Sequence, residues 1–167
     1  AASSHASSAA SAMKRWLGVA FLAAAACVSL AACGGDDGTV RIGVAGPLSG
    51  GQAKNGEDLV DGTTMAVEEC NAKGGLLGKK VSVQARDDLA KPANAPSVAH
   101  QLVGKKVAGV VGHFNSGNTI PASEIYHKNG IVTITPSSTN EFVTDRGYAD
   151  VVRVCGRDDQ QAPTAAR

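Results

Sequence analysis

The chain has 167 residues, of which 43% are hydrophobic and 19% are charged, and its formal net charge is +1 at pH 7. This near-neutral balance provides no basic surface for nucleic acid, and the length is sufficient for one domain with a packed core. The four cysteines include no Cys-x-x-Cys pair and no Cys/His cluster, so we expect neither a metal site nor a cofactor.

The N-terminal part of the chain has the pattern of an export signal. Residues 1–12 are almost entirely Ala and Ser, and we interpret them as sequence upstream of a start methionine, Met13. Lys14 and Arg15 then precede an uncharged stretch rich in Ala and Leu, which predicts a signal peptide over 13–32. The stretch is short for a membrane span of about 20 residues, so a retained transmembrane anchor is the weaker alternative.

Leu30-Ala31-Ala32-Cys33, at the end of this stretch, resembles a bacterial lipobox, in which the cysteine thiol carries a diacylglycerol. We therefore expect Cys33 to be the lipidated mature N-terminus and residues 33–39 to be a flexible tether. Simple cleavage and release is the alternative. The expected location is the periplasm, with the lipid anchoring the protein to a membrane.

From residue 40 onward, short apolar runs alternate with amphipathic stretches of about a dozen residues, which is typical of βαβ units. Because crossover connections within one sheet are right-handed, we predict an α/β fold over 40–167, with a Rossmann-like doubly wound parallel sheet. The predicted strands are 40–45, 80–86, 107–112, 131–135 and 150–154. The predicted helices are 56–73, 92–103, 119–128 and one that begins near Asp159.

Local signals mark several helix ends. Gly74-Gly75 is typical of a helix C-cap, and Pro92 suits the first turn of the next helix. Residues 158–167 begin with acidic side chains, which are typical of the first turn of a helix, but the sequence ends about two turns later. We therefore expect the sequence to be incomplete at its C-terminus. Cys70 and Cys155 could pair in an oxidising compartment, or both could be small buried apolar residues.

Several catalytic interpretations fail on spacing. Residues 74–80 lack the spacing of a phosphate loop, and 46–51 lack that of a dinucleotide-binding loop. His100, His113 and His127 share no useful spacing with one another or with a nucleophile. We therefore predict that the protein is not an enzyme.

Other polar residues fit structural roles. Asp87-Asp88 is better interpreted as a cap of the following turn than as an acid/base pair. Tyr126 and His127 are expected to be surface or partly buried packing residues on the third predicted helix. His113 could line a cleft or close the core.

Two hydroxyl-rich segments follow predicted strands: Ser-Gly-Asn-Thr at 116–119 and Pro-Ser-Ser-Thr at 136–139. In an open α/β sheet, ligands bind outside the carboxyl ends of the strands, where loop hydroxyls and free helix N–H groups converge. Ser116 and Thr119 could donate hydrogen bonds to a carboxylate, and so could the backbone N–H of Thr139. The Thr139 hydroxyl could accept from an ammonium group.

With the carbonyl of Ser137 as a second acceptor for the ammonium group, these residues would fit the zwitterion of a free α-amino acid. The alternative is that Ser116, Asn118 and Thr139 are ordinary helix N-caps, which bind only their own helix. The spacing alone does not separate the two interpretations.

Six motifs together carry a resemblance to a known family, and they occur in this order: Gly43-Val44-Ala45-Gly46-Pro47-Leu48-Ser49-Gly50, Asn71-Ala72-Lys73-Gly74-Gly75, Gly112-His113, Pro121-Ala122-Ser123-Glu124-Ile125-Tyr126, Thr135-Pro136-Ser137-Ser138-Thr139-Asn140 and Gly156-Arg157-Asp158-Asp159-Gln160-Gln161. In this combination the chain resembles the leucine/isoleucine/valine-binding proteins of bacterial ABC importers, which are periplasmic binding proteins of type I. The resemblance extends from about residue 40 to residue 167.

The resemblance implies the first lobe of a two-lobed protein that closes on a small amino acid and delivers it to a membrane permease. It also implies that Ser116 and the backbone of Thr139 hold the ligand carboxylate. The carbonyl of Ser137 and the hydroxyl of Thr139 would hold the ammonium group, with Ser138 in the same loop. One lobe alone is expected to bind weakly or not at all. The alternative is a ligand-binding ectodomain of a sensor or receptor for amino acids, amides or aromatic acids.

The chain departs from the family pattern at three positions. Asn55 replaces a tyrosine near the side-chain pocket of the leucine binder, which implies a contact with the ligand side chain. Ala90 and Asn115 occupy the positions of the family's first-lobe disulfide, so we expect that bridge to be absent. Asn115 adjoins the site and is expected to add a polar contact.

Overall fold

Five parallel strands form the central sheet of the computed structural model, which describes residues 38–166. The strands are β1 (Val40–Gly46), β2 (Val81–Asp87), β3 (Gly109–Gly112), β4 (Val132–Thr135) and β5 (Val151–Arg153), in the spatial order β2-β1-β3-β4-β5. Each neighbouring pair is parallel. The predicted α/β fold and its five strands are confirmed. The predicted signal peptide and Cys33 lie outside the described residues.

Five α-helices connect or follow the strands. They are α1 (Ala53–Ala72), α2 (Ala95–Gly104), α3 (Ser116–Lys128), α4 (Phe142–Asp145) and α5 (Asp158–Ala165). The four predicted helices are present, with boundaries that differ by up to three residues. At the predicted start of α2, Pro92–Asn94 forms a 3₁₀ turn instead. We did not predict α4, because a single helical turn of four residues is too short to show hydrophobic periodicity.

Glycines end α1 in a Schellman motif, as the sequence predicts. The N–H of Gly75 donates to the carbonyl of Cys70 at 2.9 Å, and the N–H of Gly74 donates to the carbonyl of Asn71 at 3.1 Å. The backbone angle φ is positive at both, 99° at Gly74 and 78° at Gly75, a region that residues with side chains disfavour. The chain therefore reverses sharply after α1 and enters β2.

The main hydrophobic core lies between one face of the sheet and helices α2 and α3. Its buried members are Ala45, Ala95, Val98, Ala99, Leu102, Val107, Val110, Ala122, Tyr126 and Ile131. Helix α1 contacts β1 and β2, and Val44 of β1 is fully buried. By the strand register, Ile134 and Val152 lie on the same face of the sheet as Val44, and both are about 40% exposed.

Cys70 and Cys155 are free thiols, each half-buried, so the structure contains no bond between them. The second interpretation, two small buried apolar residues, agrees only in part, because both thiols are free but neither residue is fully buried. Among the helices within residues 38–166, none combines the length and apolarity needed to cross a membrane.

Gly56 allows α1 to approach the loop after β1. A Cβ atom at this position would lie 2.1 Å from the carbonyl oxygen of Pro47, whereas a Cβ at Gly62 on the same helix would meet nothing within 4 Å. We predict that Gly56→Ala lowers the free energy of unfolding by about 2–3 kcal/mol through overpacking. Gly62→Ala, the matched control, should raise it by about 0.5–1 kcal/mol because alanine favours helix. Urea unfolding measures both, and equal effects would refute this packing role.

Candidate functional site

The hydroxyl-rich segments lie at the carboxyl ends of β3 and β4, next to the point between β1 and β3 where the strand order reverses. Strand β2 lies on one side of β1, and β3, β4 and β5 follow on the other. Ligands of open α/β sheets bind in the crevice at such a switch point. The structure therefore places both predicted segments at the edge of the sheet where a ligand site is expected.

The first wall of the candidate site is the N-terminus of α3. Asn115 is the N-cap residue, but its side chain makes no capping hydrogen bond to any described residue. Ser116, the first residue of the helix, is half-buried, and its Oγ accepts a hydrogen bond from the N–H of Asn140 at 3.2 Å. Because this bond uses only a lone pair, the Ser116 hydroxyl can still donate its proton. The helix dipole also favours an anion here.

The second wall is the loop from Ser137 to Asn140. Thr139 is half-buried, and its N–H and hydroxyl make no hydrogen bond within the described part of the chain; the same holds for the carbonyl of Ser137. The carbonyl of Thr139 accepts from the N–H of Asp158 at 3.0 Å and from Arg153 Nη1 at 3.0 Å. The loop is thus held through its carbonyls, while one donor and two acceptors stay available.

Below this loop, three hydroxyl groups converge on one backbone oxygen. The hydroxyls of Thr119, Thr135 and Ser138 lie 3.1, 2.8 and 3.3 Å from the carbonyl oxygen of His113, and Ser138 Oγ bonds to the other two at 2.6 and 2.8 Å. The side chains of Thr119 and Ser138 are fully buried.

The expectation that Thr119 donates to a ligand is therefore wrong, because its hydroxyl is buried and already engaged. Ser138 belongs to the predicted loop, but its side chain supports the loop from the interior. The N-cap alternative is also wrong: Ser116 and Asn118 lie within α3, and the residues that cap α3, α4 and α5 are Asn115, Glu141 and Arg157.

Two further predicted residues lie at the helix starts near the site. Asn55 is an exposed residue in the first turn of α1. Asn115 donates from Nδ2 to Gln52 Oε1 at 3.0 Å, and its Oδ1 is buried without a partner among the described atoms. Ala90, the counterpart of Asn115 in the family's disulfide, instead donates its N–H to Asp88 Oδ1 at 2.9 Å.

A buried network of Asp88, His113 and Tyr126 lies behind the site, and the sequence does not reveal it. All three side chains are fully buried. His113 Nδ1 lies 2.7 Å from Asp88 Oδ2, and His113 Nε2 lies 3.2 Å from the Tyr126 hydroxyl. Burial raises the pKa of Asp88, but the hydrogen bonds from His113 and the Ala90 N–H outweigh it and hold that pKa below its ordinary value.

The roles expected for the neighbouring polar residues follow from this network. His113 closes the core and does not line the cleft. Asp87 caps the following turn as predicted, since it accepts a hydrogen bond from the N–H of Leu89 at 2.8 Å. It also accepts one from the N–H of Leu48, in the loop after β1, at 2.9 Å. Tyr126 is fully buried, so the expectation of a surface or partly buried position is wrong for it. Burial, reinforced by the charge of Asp88, raises the pKa of Tyr126, so this packing residue stays neutral.

Within residues 38–166, no group of three or more His, Cys, Asp or Glu side chains could hold a metal ion. The walls offer hydroxyl and N–H donors beside a carbonyl and a hydroxyl acceptor. Such an arrangement can hold a small molecule that carries both a carboxylate and an ammonium group. The fold and this candidate site are typical of one lobe of a ligand-binding protein.

Comparison with known proteins supports the same class of protein and identifies its family. Residues 39–167 match the family described as "Periplasmic binding protein". The chain is 50% identical over 127 residues to an "Amino acid binding protein" of Pseudomonas aeruginosa, covering 75% of this chain and 34% of that protein. It is 43% identical over 135 residues to "Leu/Ile/Val-binding protein homolog 2" of Brucella abortus, covering 81% and 36%.

A solved structure shows the same fold. The branched-chain amino acid transporter substrate-binding protein LivJ of Streptococcus pneumoniae, in complex with isoleucine, superposes with a TM-score of 0.67 at 36% identity, covering 72% of this chain and 34% of that one. The chain belongs to the periplasmic binding protein family, and its fold is that of the first lobe of a type I member. It spans about a third of the length of the curated relatives it matches.

The Asp88–His113 pair should make stability depend on pH. Asp88→Asn should lower the free energy of unfolding by about 3 kcal/mol at pH 7, because it breaks a buried pair. Since the folded-state pKa of Asp88 lies below the unfolded value of about 3.9, this stabilisation is present above that value and is lost as the pH falls through the folded pKa. Urea unfolding at pH 7 and pH 3 measures the change.

Asp150→Asn is the matched control for this prediction. It removes a His–Asp contact of similar length, 2.8 Å to His127, but one in which the side chains are 41% and 23% exposed. Its effect should stay below about 1 kcal/mol at both pH values. A loss for Asp88→Asn that is as small, or that does not shrink at pH 3, would contradict the role assigned to the buried pair.

Proposed function

We propose that the protein is the periplasmic solute-binding component of an ABC importer, which captures a small amino acid between two lobes and delivers it to a membrane permease. The observation that carries this proposal is a set of polar groups that remain available within residues 38–166. The Ser116 hydroxyl accepts one hydrogen bond but can still donate, and the Ser137 carbonyl and the Thr139 N–H and hydroxyl have no partner there. The names of the similar proteins, which include Leu/Ile/Val-binding proteins, support leucine, isoleucine or valine as the ligand.

The proposed recognition separates the two charges of the zwitterion. The carboxylate accepts hydrogen bonds from the Ser116 hydroxyl and the Thr139 N–H, at the positive end of the α3 dipole. The ammonium group donates to the carbonyl of Ser137 and the hydroxyl of Thr139. Both sets of bonds are charge-assisted, so a ligand that lacks either charge binds more weakly.

The amides of Asn55 and Asn115 are proposed to lie beside the ligand side chain. Asn55 is exposed, and Asn115 Oδ1 has no partner among the described atoms. A buried, unsatisfied oxygen is costly, so a ligand group or water that donates to it would be favoured. These amides allow a somewhat more polar ligand side chain than a purely aliphatic pocket would.

The remaining parts of the proposal concern location and action. The proposed signal peptide would direct export and be removed, and the proposed lipid on Cys33 would then tether the protein to a membrane in the periplasm. No bond is made or broken in the proposed activity. Ligand would favour a closed arrangement of two lobes through contacts made to both. This lobe alone supplies only part of the proposed ligand contacts, so we expect its own dissociation constant to be millimolar or weaker, which corresponds to a binding free energy of about 4 kcal/mol or less.

The proposal is tested by titrating the ¹⁵N-labelled 167-residue chain with the twenty amino acids, small amides and aromatic acids. We predict saturable amide shifts for Ser116, Gly117 and Thr139 with leucine, isoleucine or valine. Ser116→Ala combined with Thr139→Ala should weaken binding at least about tenfold, since each charge-assisted bond contributes about 1.5–3 kcal/mol. Thr164→Ala, which removes an exposed hydroxyl bonded only to Gln160 on α5, is the control and should change nothing. No shifts with any amino acid would contradict the proposal.

Ligand analogues test the assignment of the two charges. 4-Methylpentanoate lacks the ammonium group of leucine, and 3-methylbutylamine lacks its carboxylate. We predict that Ser116→Ala weakens binding of the acid severalfold and leaves binding of the amine unchanged, because Ser116 contacts only the carboxylate. The reverse pattern would show that the ligand binds in the opposite orientation.

A further inference from the structure

The side chain of Arg153, at the end of β5, holds the candidate ligand loop from the side opposite to α3. Its Nη1 donates to three successive carbonyls, those of Ser138, Thr139 and Asn140, at 3.2, 3.0 and 2.8 Å. Its Nη2 bonds to the hydroxyl of Thr144. Arg153 is half-buried, and no sequence motif marked it.

The direction of these carbonyls fixes the direction of the N–H groups. Across a trans peptide bond, the C=O and the N–H point in opposite directions. Since the carbonyl of Ser138 points at Arg153, the N–H of Thr139 points away from it. The carbonyl of Thr139 also points at Arg153, and the N–H of Asn140 correspondingly reaches Ser116 Oγ at 3.2 Å.

The loop is therefore sandwiched between the guanidinium and the N-terminus of α3. The hydrogen bond from Asn140 to Ser116 shows that the N–H side of the loop faces α3. The Thr139 N–H, which has no partner among the described residues, is thus directed to the same side as the Ser116 hydroxyl. A positive charge at the carbonyl end of these peptide groups also polarises them and makes their N–H groups stronger donors.

We propose that Arg153 is a positioning residue, which aims and polarises the Thr139 N–H for the carboxylate of the ligand without touching that ligand. This inference rests on the proposed function for the identity of the ligand group. Lysine would not substitute fully, because one ammonium nitrogen cannot replace the planar fork that serves the three carbonyls and the Thr144 hydroxyl together.

Arg157 offers a matched control. It lies four positions from Arg153 and carries the same charge, but its guanidinium bonds only to Asp145 and Asp159. Arg157→Ala therefore removes one positive charge near the loop without removing a hydrogen bond to it. Any effect of Arg153→Ala that comes from net charge alone will appear in both variants.

The first measurement needs no ligand. We expect the ¹H–¹⁵N heteronuclear NOE of the Thr139 and Asn140 amides to fall in Arg153→Ala and to remain at the unsubstituted chain's value in Arg157→Ala. If Arg153→Ala does not fold, Arg153→Lys and Thr144→Val, which removes only the Nη2 contact, are compared in the same way. A loop that stays as rigid in a folded Arg153 variant as in the unsubstituted chain overturns the proposal.

The second measurement compares leucine with leucinamide, which lacks the carboxylate charge, by NMR titration. In the unsubstituted chain and in Arg157→Ala, leucine should bind at least about tenfold more tightly than leucinamide. Arg153→Ala should reduce that ratio severalfold, an effect that general destabilisation would not produce. An unchanged ratio overturns the role of Arg153. Absence of leucine binding by the unsubstituted chain would instead count against the proposed function, and the amide dynamics would still decide the role of Arg153.

Discussion

The carbonyl oxygen of His113 is the point on which the geometry of the site depends. Hydroxyls from the first turn of α3, from the end of β4 and from the ligand loop all lie within 3.3 Å of it. The imidazole of the same residue is fixed by Asp88 and Tyr126 in the core. One residue thus joins the core to three segments of the binding edge, and this explains why Thr119, Thr135 and Ser138 are buried despite their polarity.

A division between inward and outward polar groups follows from that connection. The buried hydroxyls of Thr119, Thr135 and Ser138 are satisfied by one another and by the His113 carbonyl. The loop carbonyls of Ser138 to Asn140 are satisfied by Arg153. What remains is a small outward-facing set at Ser116, Ser137 and Thr139. Because the protein already fixes these groups, little conformational entropy would be lost when the proposed ligand binds them, which is the physical advantage of a preorganised site.

Much of the fold follows from the sequence, because hydrophobic periodicity and glycine or proline signals are local. The five strands, four of the five helices and the Gly74-Gly75 cap were all predictable in this way. The short helix α4 was not, since one turn carries no periodic signal. The positions of the hydroxyl-rich segments were predictable as well, because the carboxyl ends of parallel strands share one edge of the sheet.

The roles of individual polar side chains were harder to predict. Thr119 and Ser138 look identical in sequence to the hydroxyl residues that remain outward-facing, and only the packing of α3 against β4 buries them. The pairing of Asp88 with His113 joins residues 25 positions apart, and Arg153 reaches carbonyls 13 to 15 positions away. Such contacts depend on sheet order and register, so no local pattern could reveal them.

A crystal structure of the protein with leucine bound would test the central claim most directly. The account predicts a carboxylate oxygen within about 3.2 Å of both Ser116 Oγ and the Thr139 nitrogen, with the ammonium nitrogen at the Ser137 carbonyl; leucine bound elsewhere, or in the reverse orientation, would contradict it.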